Sequence, residues 1–314
     1  MMTSTSFGIH EWYGNIVQDL GVAERQALAR RALEHYREKQ DAVRDPCPFH
    51  ASVAPGASCN KPGGVCSIQP LMKSHGHVSP VPHAVPAVTC PQRFWGDRLK
   101  LLRWIAKTIL GSSSVLAVKE TPFLRRLGDE VADSDDRNTA GRIDWLLIDT
   151  KSPDNKVAVE IQSLYFSGHN MGDDIQRYVG SSGLVFPARP RRPDYRSGGP
   201  KRLAPQLRVK VPALADLGIG TAVLVDRYFH QQMAQGILSG TPASTEGLHN
   251  LTWFVAEYQV GGGLGPSEIA YASLDESVLA MDAVRPMERR EFDANLGVTL
   301  RKPSNQGTKV FTLC

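Results

Sequence analysis

The chain has 314 residues, with 36 basic side chains against 32 acidic ones and a net charge of +4. A hydrophobic content of 41% with 22% charged residues excludes wholesale disorder, and the length fits one large domain with appendages or two domains. No run approaches 18 consecutive apolar residues, which excludes a membrane-spanning helix.

The first twenty residues mix Glu11, Asn15, Gln18 and Asp19 with apolar positions and carry neither a basic nor an apolar leader region. A cytoplasmic chain is therefore expected, with its five cysteines reduced. Residues 22–40 repeat Ala27, Leu28, Ala32, Leu33 and Tyr36 at helical spacing, which predicts a helix. Residues 45–92 are rich in Pro and Gly and poor in apolar runs, a composition expected to need a staple. The stretch 93–109 predicts a second amphipathic helix, with Leu99, Leu102, Ile105 and Ile109 on one face. Short apolar runs at 115–118, 143–148 and 157–164 predict strands, the last two joined by the turn-rich DTKSPDN into a hairpin. Residues 187–212 read as a Pro/Arg/Gly loop, 221–229 as a buried strand, 228–238 as a helix, and 251–259 and 267–273 as later strands. This order predicts an α/β fold with a mixed sheet. The polar tail from 300 is expected to be loose.

Four cysteines, Cys47, Cys59, Cys66 and Cys90, lie within 44 positions, and three of them adjoin turn-forming Pro or Gly. Thiolates on tight turns can converge on one tetrahedral metal, and four sulfurs suit zinc or iron. The alternative is four unrelated thiols, since the spacing is not CxxC…CxxC. His50, His75, His77 and His83 could each replace a sulfur, but 75–83 reads as an exposed loop. Cys314 is left without a role.

A second constellation sits on the expected hairpin. Strand alternation points Glu160 and Gln162 the same way, with Ile161 opposite, and Asp144 on the preceding strand can stand beside them. Carboxylates among Ile143, Trp145, Val159 and Ile161 are costly to bury without a partner, and oxygen ligands favour Mg2+. The alternative is a solvated strand face. Glu120 could add a third carboxylate, or stand on the surface.

The words DPCPF (45–49), SCNKPGGVCSI (58–68), VTCPQRF (88–94), IDW (143–145) and VAVEIQSLYFSG (157–168) occur in that order. In them the chain resembles the NotI restriction endonuclease family over roughly 45–170. The resemblance implies a PD-(D/E)xK nuclease core, a mixed central sheet flanked by helices, with a small N-terminal four-cysteine module. It implies Mg2+-dependent cleavage of a GC-rich palindrome in double-stranded DNA by a homodimer, with a methyltransferase encoded alongside rather than bound. It implies that Asp144 and Glu160 are the catalytic carboxylates and that Cys47, Cys59, Cys66 and Cys90 hold structural iron, where ligand chemistry alone permits iron or zinc. Gln162 occupies the position that is Lys in most of the superfamily. The expected organisation is a helix and cysteine module over 1–92, a nuclease core over 93–300 and a tail over 301–314.

Residues 186–211 carry eight basic side chains and one acidic, while 129–160 carry nine acidic against four basic. Arg189, Arg191, Arg192, Arg196, Lys201 and Arg202 are therefore expected to contact DNA, since Arg suits guanine and phosphate. The competing readings are a metal-stapled DNA-binding protein without catalysis and a repair or recombination nuclease on the same core.

Overall fold

The computed structural model of the chain describes residues 4–37, 45–50, 53–125, 139–168, 171–233, 250–282 and 287–300. The expected tail, Cys314 and the end of the helix expected over 228–238 lie outside the described residues. Met1–Asp282 form one compact unit and Ala283–Cys314 a second, so the expected boundary at residue 92 falls within the first unit.

The N-terminal elements of the first unit are β1 (Ser4–Trp12), β2 (Asn15–Ile16), α1 (Val22–Arg37), β3 (Val65–Ser74), β4 (His77–Pro80) and β5 (Ala87–Val88). They form a sheet of order β2-β1-β3-β4, with β5 also on β3. β1 runs antiparallel to β3, with Gly8 facing Gln69. The expectation of a core-poor 45–92 is corrected here: Val65, Ile68, Leu71, Ala87 and Val88 are all buried. Pairing with β1, more than fifty residues earlier, supplies the second strand of that core.

Next come α2 (Gly96–Ile109), β6 (Val115–Arg125), β7 (Thr139–Asp149), β8 (Lys156–Gln162), β9 (Tyr165–Gly168), α3 (Gly172–Tyr178) and β10 (Arg191–Asp194). They are followed by α4 (Tyr195–Gly198), α5 (Ala204–Asp216), β11 (Gly220–Asp226), α6 (Arg227–Gln232), β12 (Asn250–Tyr258), β13 (Leu264–Ser273) and α7 (Leu274–Asp282). The main sheet has the order β13-β12-β11-β8-β7-β6. β11 is parallel to β8 and β12, and the other pairs are antiparallel, so the sheet is mixed.

β11 shows why the fold closes on both faces of this sheet. Ala222 and Leu224 pack with Leu101, Leu102 and Ile105 of α2, whereas Val223 and Val225 pack with Leu207 and Val211 of α5. Period-2 alternation with both faces apolar needs a helix layer on each side. The core on the α5 side is continuous with Trp12 and Ile68 of the N-terminal sheet and with Tyr13 in the turn after β1.

The expected loop over 187–212 is corrected. It contains β10, α4, a wide turn at Gly199–Leu203 and most of α5. Pro205 falls in the first turn of α5 and Pro212 inside it, which obscured its periodicity. The second unit is described by α8 (Arg289–Leu300), where Arg289 pairs with Asp293 at 2.9 Å. Among the described residues no helix is long and apolar enough to cross a membrane.

Candidate active site

The β7–β8 ladder ends at Trp145 opposite Val159. The next rung brings Asp144 against Glu160. There the Asp144 carboxylate replaces the backbone partner: its Oδ2 accepts the Ile161 N–H at 2.8 Å. Glu160 is only 2% exposed. Its Oε2 accepts from Lys210 Nζ at 2.7 Å, and its Oε1 is buried without a hydrogen-bond partner. Burial, then the charge of Asp144, pushes the Glu160 carboxyl up to about 7, against the pull of Lys210. Burial also raises Asp144, opposed by the Ile161 amide and by Lys210. A buried and a half-buried carboxyl side by side, both raised against carrying two negative charges, suit a cation.

Gln162 stands at the end of β8, half-buried, and its Nε2 donates to Ser163 O at 2.5 Å. Trp145 is buried in the core. Glu120 lies level with Asp144 on β6, between the rungs Lys119–Trp145 and Thr121–Ile143. It adopts a left-handed φ of 51° inside a strand. Its carboxylate is more than half exposed and pairs with Lys119 at 2.8 Å and Arg142 at 3.7 Å, so it faces cations rather than joining the acid pair.

Lys210 is the site residue that sequence reasoning missed, having counted it only as one charge of a basic run. Its signal was positional. Leu207, Lys210, Val211 and Leu214 share the buried face of α5, so a lysine occupies a core position of an amphipathic helix.

The four cysteines are free and buried in the first unit. Backbone bonds hold their segments together: Cys47 N–H to Ala57 O, Cys59 N–H to Asp45 O, and Thr89 N–H to Cys66 O, each at 2.8–2.9 Å. Cys47 and Cys90 both direct Sγ at Gln92 Oε1, at 3.8 and 3.7 Å. Burial raises all four thiols, Cys59 to about 11, and their mutual repulsion as thiolates adds to the shift in Cys59, Cys66 and Cys90. Lys61 bridges the cysteine loops by donating to Thr89 O at 2.6 Å. His75, His77 and His83 are exposed, whereas His50 stacks on Trp95 with both ring nitrogens buried and without a hydrogen-bond partner, so it stands beside the sulfurs as a buried donor of this region. Among the described residues no three His, Cys, Asp or Glu side chains stand ready-made as a metal cage.

Of the residues expected on DNA, Arg189, Arg192, Arg196, Lys201 and Arg202 are exposed. Arg202 donates to Tyr165 Oη at 2.5 Å and lies over its ring. β10, which carries Arg192, pairs with β9, the strand that follows β8 in the chain. Arg191 is corrected: it is buried and paired with Asp174.

A mixed sheet layered by helices, with Asp144 and Glu160 side by side where the β7–β8 ladder stops, is an α/β architecture compatible with a nuclease core. The chain belongs to the NotI restriction endonuclease family, whose model, restriction endonuclease NotI, matches residues 29–265. It is accordingly a site-specific deoxyribonuclease acting on double-stranded DNA. The match runs past the last sequence word at 168 and takes in Lys210, β11 and β12. No curated protein matches the chain.

Proposed function

We propose that the protein is a type II restriction endonuclease on a PD-(D/E)xK core, cutting a GC-rich palindrome as a Mg2+-dependent homodimer. A two-fold enzyme suits a two-fold site. The observation that carries the reading is Glu160, whose buried Oε1 lacks a hydrogen-bond partner while Asp144, just beyond the last β7–β8 pair, accepts the N–H of the next residue, Ile161. Asp144 and Glu160 would hold Mg2+, with the Ile161 carbonyl as third protein ligand; hard oxygens fit that ion. When bound, Mg2+ lowers the pKa of water and polarises the scissile phosphate.

The chain's own residues do the rest. The Ile161 amide locks the Asp144 carboxylate. Gln162 cannot carry charge, so it orients water or phosphate through its amide. Arg189, Arg192, Arg196, Lys201 and Arg202 grip the DNA backbone and set its register against the acid pair. The host's DNA is protected by a separately encoded methyltransferase.

The four cysteines would hold a structural iron or zinc. Four buried, unbridged thiols whose segments are already tied by backbone bonds fit such an ion. Holding it would tie β3, through Cys66, to the three loop segments that carry Cys47, Cys59 and Cys90.

Plasmid cleavage with Mg2+ tests the active site, comparing wild type with Asp144→Ala and Glu160→Ala. Wild type is expected to linearise DNA at fixed ends, and both variants to lose cleavage by about 100-fold or more, at or above the upper end of what loss of a group merely orienting a metal ligand costs. Cleavage that survives both changes refutes the site. Wild type inert on every GC-rich substrate would leave a DNA-binding protein instead.

A further inference from the structure

We propose that Lys210 is a positioning residue of the active site, delivered by α5 to fix Glu160 for a divalent cation and to supply the charge that Gln162 lacks. This rests on the reading of Asp144 and Glu160 as the metal-binding pair.

Three observations carry it. First, the ammonium is buried, 7% exposed, and donates to Glu160 Oε2 at 2.7 Å. A buried ion pair adds little net stability over apolar residues of similar volume, so stability alone does not explain a lysine there. Its neighbours on the same helix face, Leu207, Val211 and Leu214, show what the position otherwise takes. Second, the pair is one-sided. Lys210 engages Oε2 and leaves Oε1 without a hydrogen-bond partner, so the carboxylate's rotation is set and one oxygen is presented. Third, the strand position two residues beyond Glu160, on the same face, carries an uncharged amide. The cation approaches Glu160 from the helix layer instead of from that strand.

Two effects of opposite sign meet at this lysine. Its ammonium repels an incoming dication, so electrostatics alone predicts that Lys210→Met binds cations more tightly. If Lys210 instead holds Glu160 in place, its removal releases an unbalanced buried carboxylate and weakens binding.

The test is calorimetric titration of the full chain with Ca2+, in wild type, Lys210→Met, Lys210→Arg, Glu160→Gln and the double variant Lys210→Met/Gln162→Lys. Expected is binding weakened about tenfold or more in Lys210→Met, the scale typical of residues that orient metal ligands. Retention within a few-fold is expected in Lys210→Arg, and partial recovery in the double variant, for both Ca2+ affinity and Mg2+-supported cleavage. Unchanged or tighter Ca2+ binding in Lys210→Met overturns the proposal. If Lys210→Met does not fold, the double variant and Lys210→Arg decide it: wild-type-like unfolding with Ca2+ affinity abolished in both overturns it, and affinity kept in both supports it. Glu160→Gln binding Ca2+ like wild type would overturn the acid-pair reading itself, a result separate from failure of the Lys210 proposal.

Discussion

Arg191 donates to Asp174 at 2.7 Å with both side chains inside the protein, and the same Asp174 accepts the Ala188 N–H at 3.0 Å. The pair fastens the start of β10 to α3. Removing one partner leaves the other charge buried and unmatched, which costs on the order of 3–5 kcal/mol. Arg191→Ala is therefore expected to lower the urea midpoint strongly. The salt dependence of DNA binding by the protein that remains folded is expected to stay as in wild type. A reduced salt slope with unchanged stability would return Arg191 to the DNA surface.

The neighbouring exposed side chains behave oppositely. Arg192, Arg196, Lys201 and Arg202 sit at the surface, and deleting one charge that neutralises a phosphate flattens log K against log salt by about 0.9. The fourfold alanine variant is expected to bind short duplexes more weakly at low salt, with a slope shallower by roughly 2–4 and an unfolding midpoint near wild type. A slope equal to wild type, measured by fluorescence anisotropy across a salt series, would show that this surface does not meet DNA.

The contrast explains what could be read from the residues alone. Charge is visible in a sequence, but the partner that satisfies it is not, so Arg191 and Arg192 looked alike until Asp174 was placed. β7, β8 and β11 were legible because their apolar alternation is local, and the pairing of Asp144 with Glu160 followed from the hairpin. β1 was not, because His10 and Glu11 interrupt its apolar pattern. Glu11 is tolerated inside only because Arg93 reaches it at 2.6 Å and Tyr258 at 2.7 Å, from 82 and 247 residues away. Lys210 was hidden twice, by the prolines that disguised α5 and by a charge that made a core position look like surface.

Asp226 carries a pH prediction. It is wholly buried, caps α6 by accepting the Phe229 N–H at 2.6 Å, and accepts the Val88 N–H with its other oxygen. Burial outweighs both bonds and raises its carboxyl from 3.8 to about 7. Between those values the folded chain keeps a proton that the unfolded chain has released, so stability falls as pH rises through that window. Relative to Asp226→Asn, wild type is expected to lose up to about 1.4 kcal/mol per pH unit there and to level off above about pH 7. Parallel stability curves for the two proteins, from urea melts between about pH 4 and pH 8, would refute the assignment.

Gly64 links backbone geometry to the cysteines. It holds φ at +68°, and a Cβ there would lie 2.2–2.4 Å from the Tyr13 ring. Its carbonyl accepts the Tyr13 N–H at 2.9 Å and lies 3.4 Å from Cys66 Sγ, so the same residue that seats β1 also aims a thiol. Gly64→Ala therefore combines left-handed strain with an overlap against a buried ring, each worth roughly 1–3 kcal/mol. If the four thiols hold a metal, moving Cys66 should also lower its occupancy, with elemental analysis reading the decrease and the visible spectrum separating iron thiolate from zinc. Cys66→Ser should lose metal without the backbone strain. Full metal occupancy in both variants would show that the cysteines do not depend on this turn; wild type folded and metal-free would remove the metal from the cysteine cluster altogether.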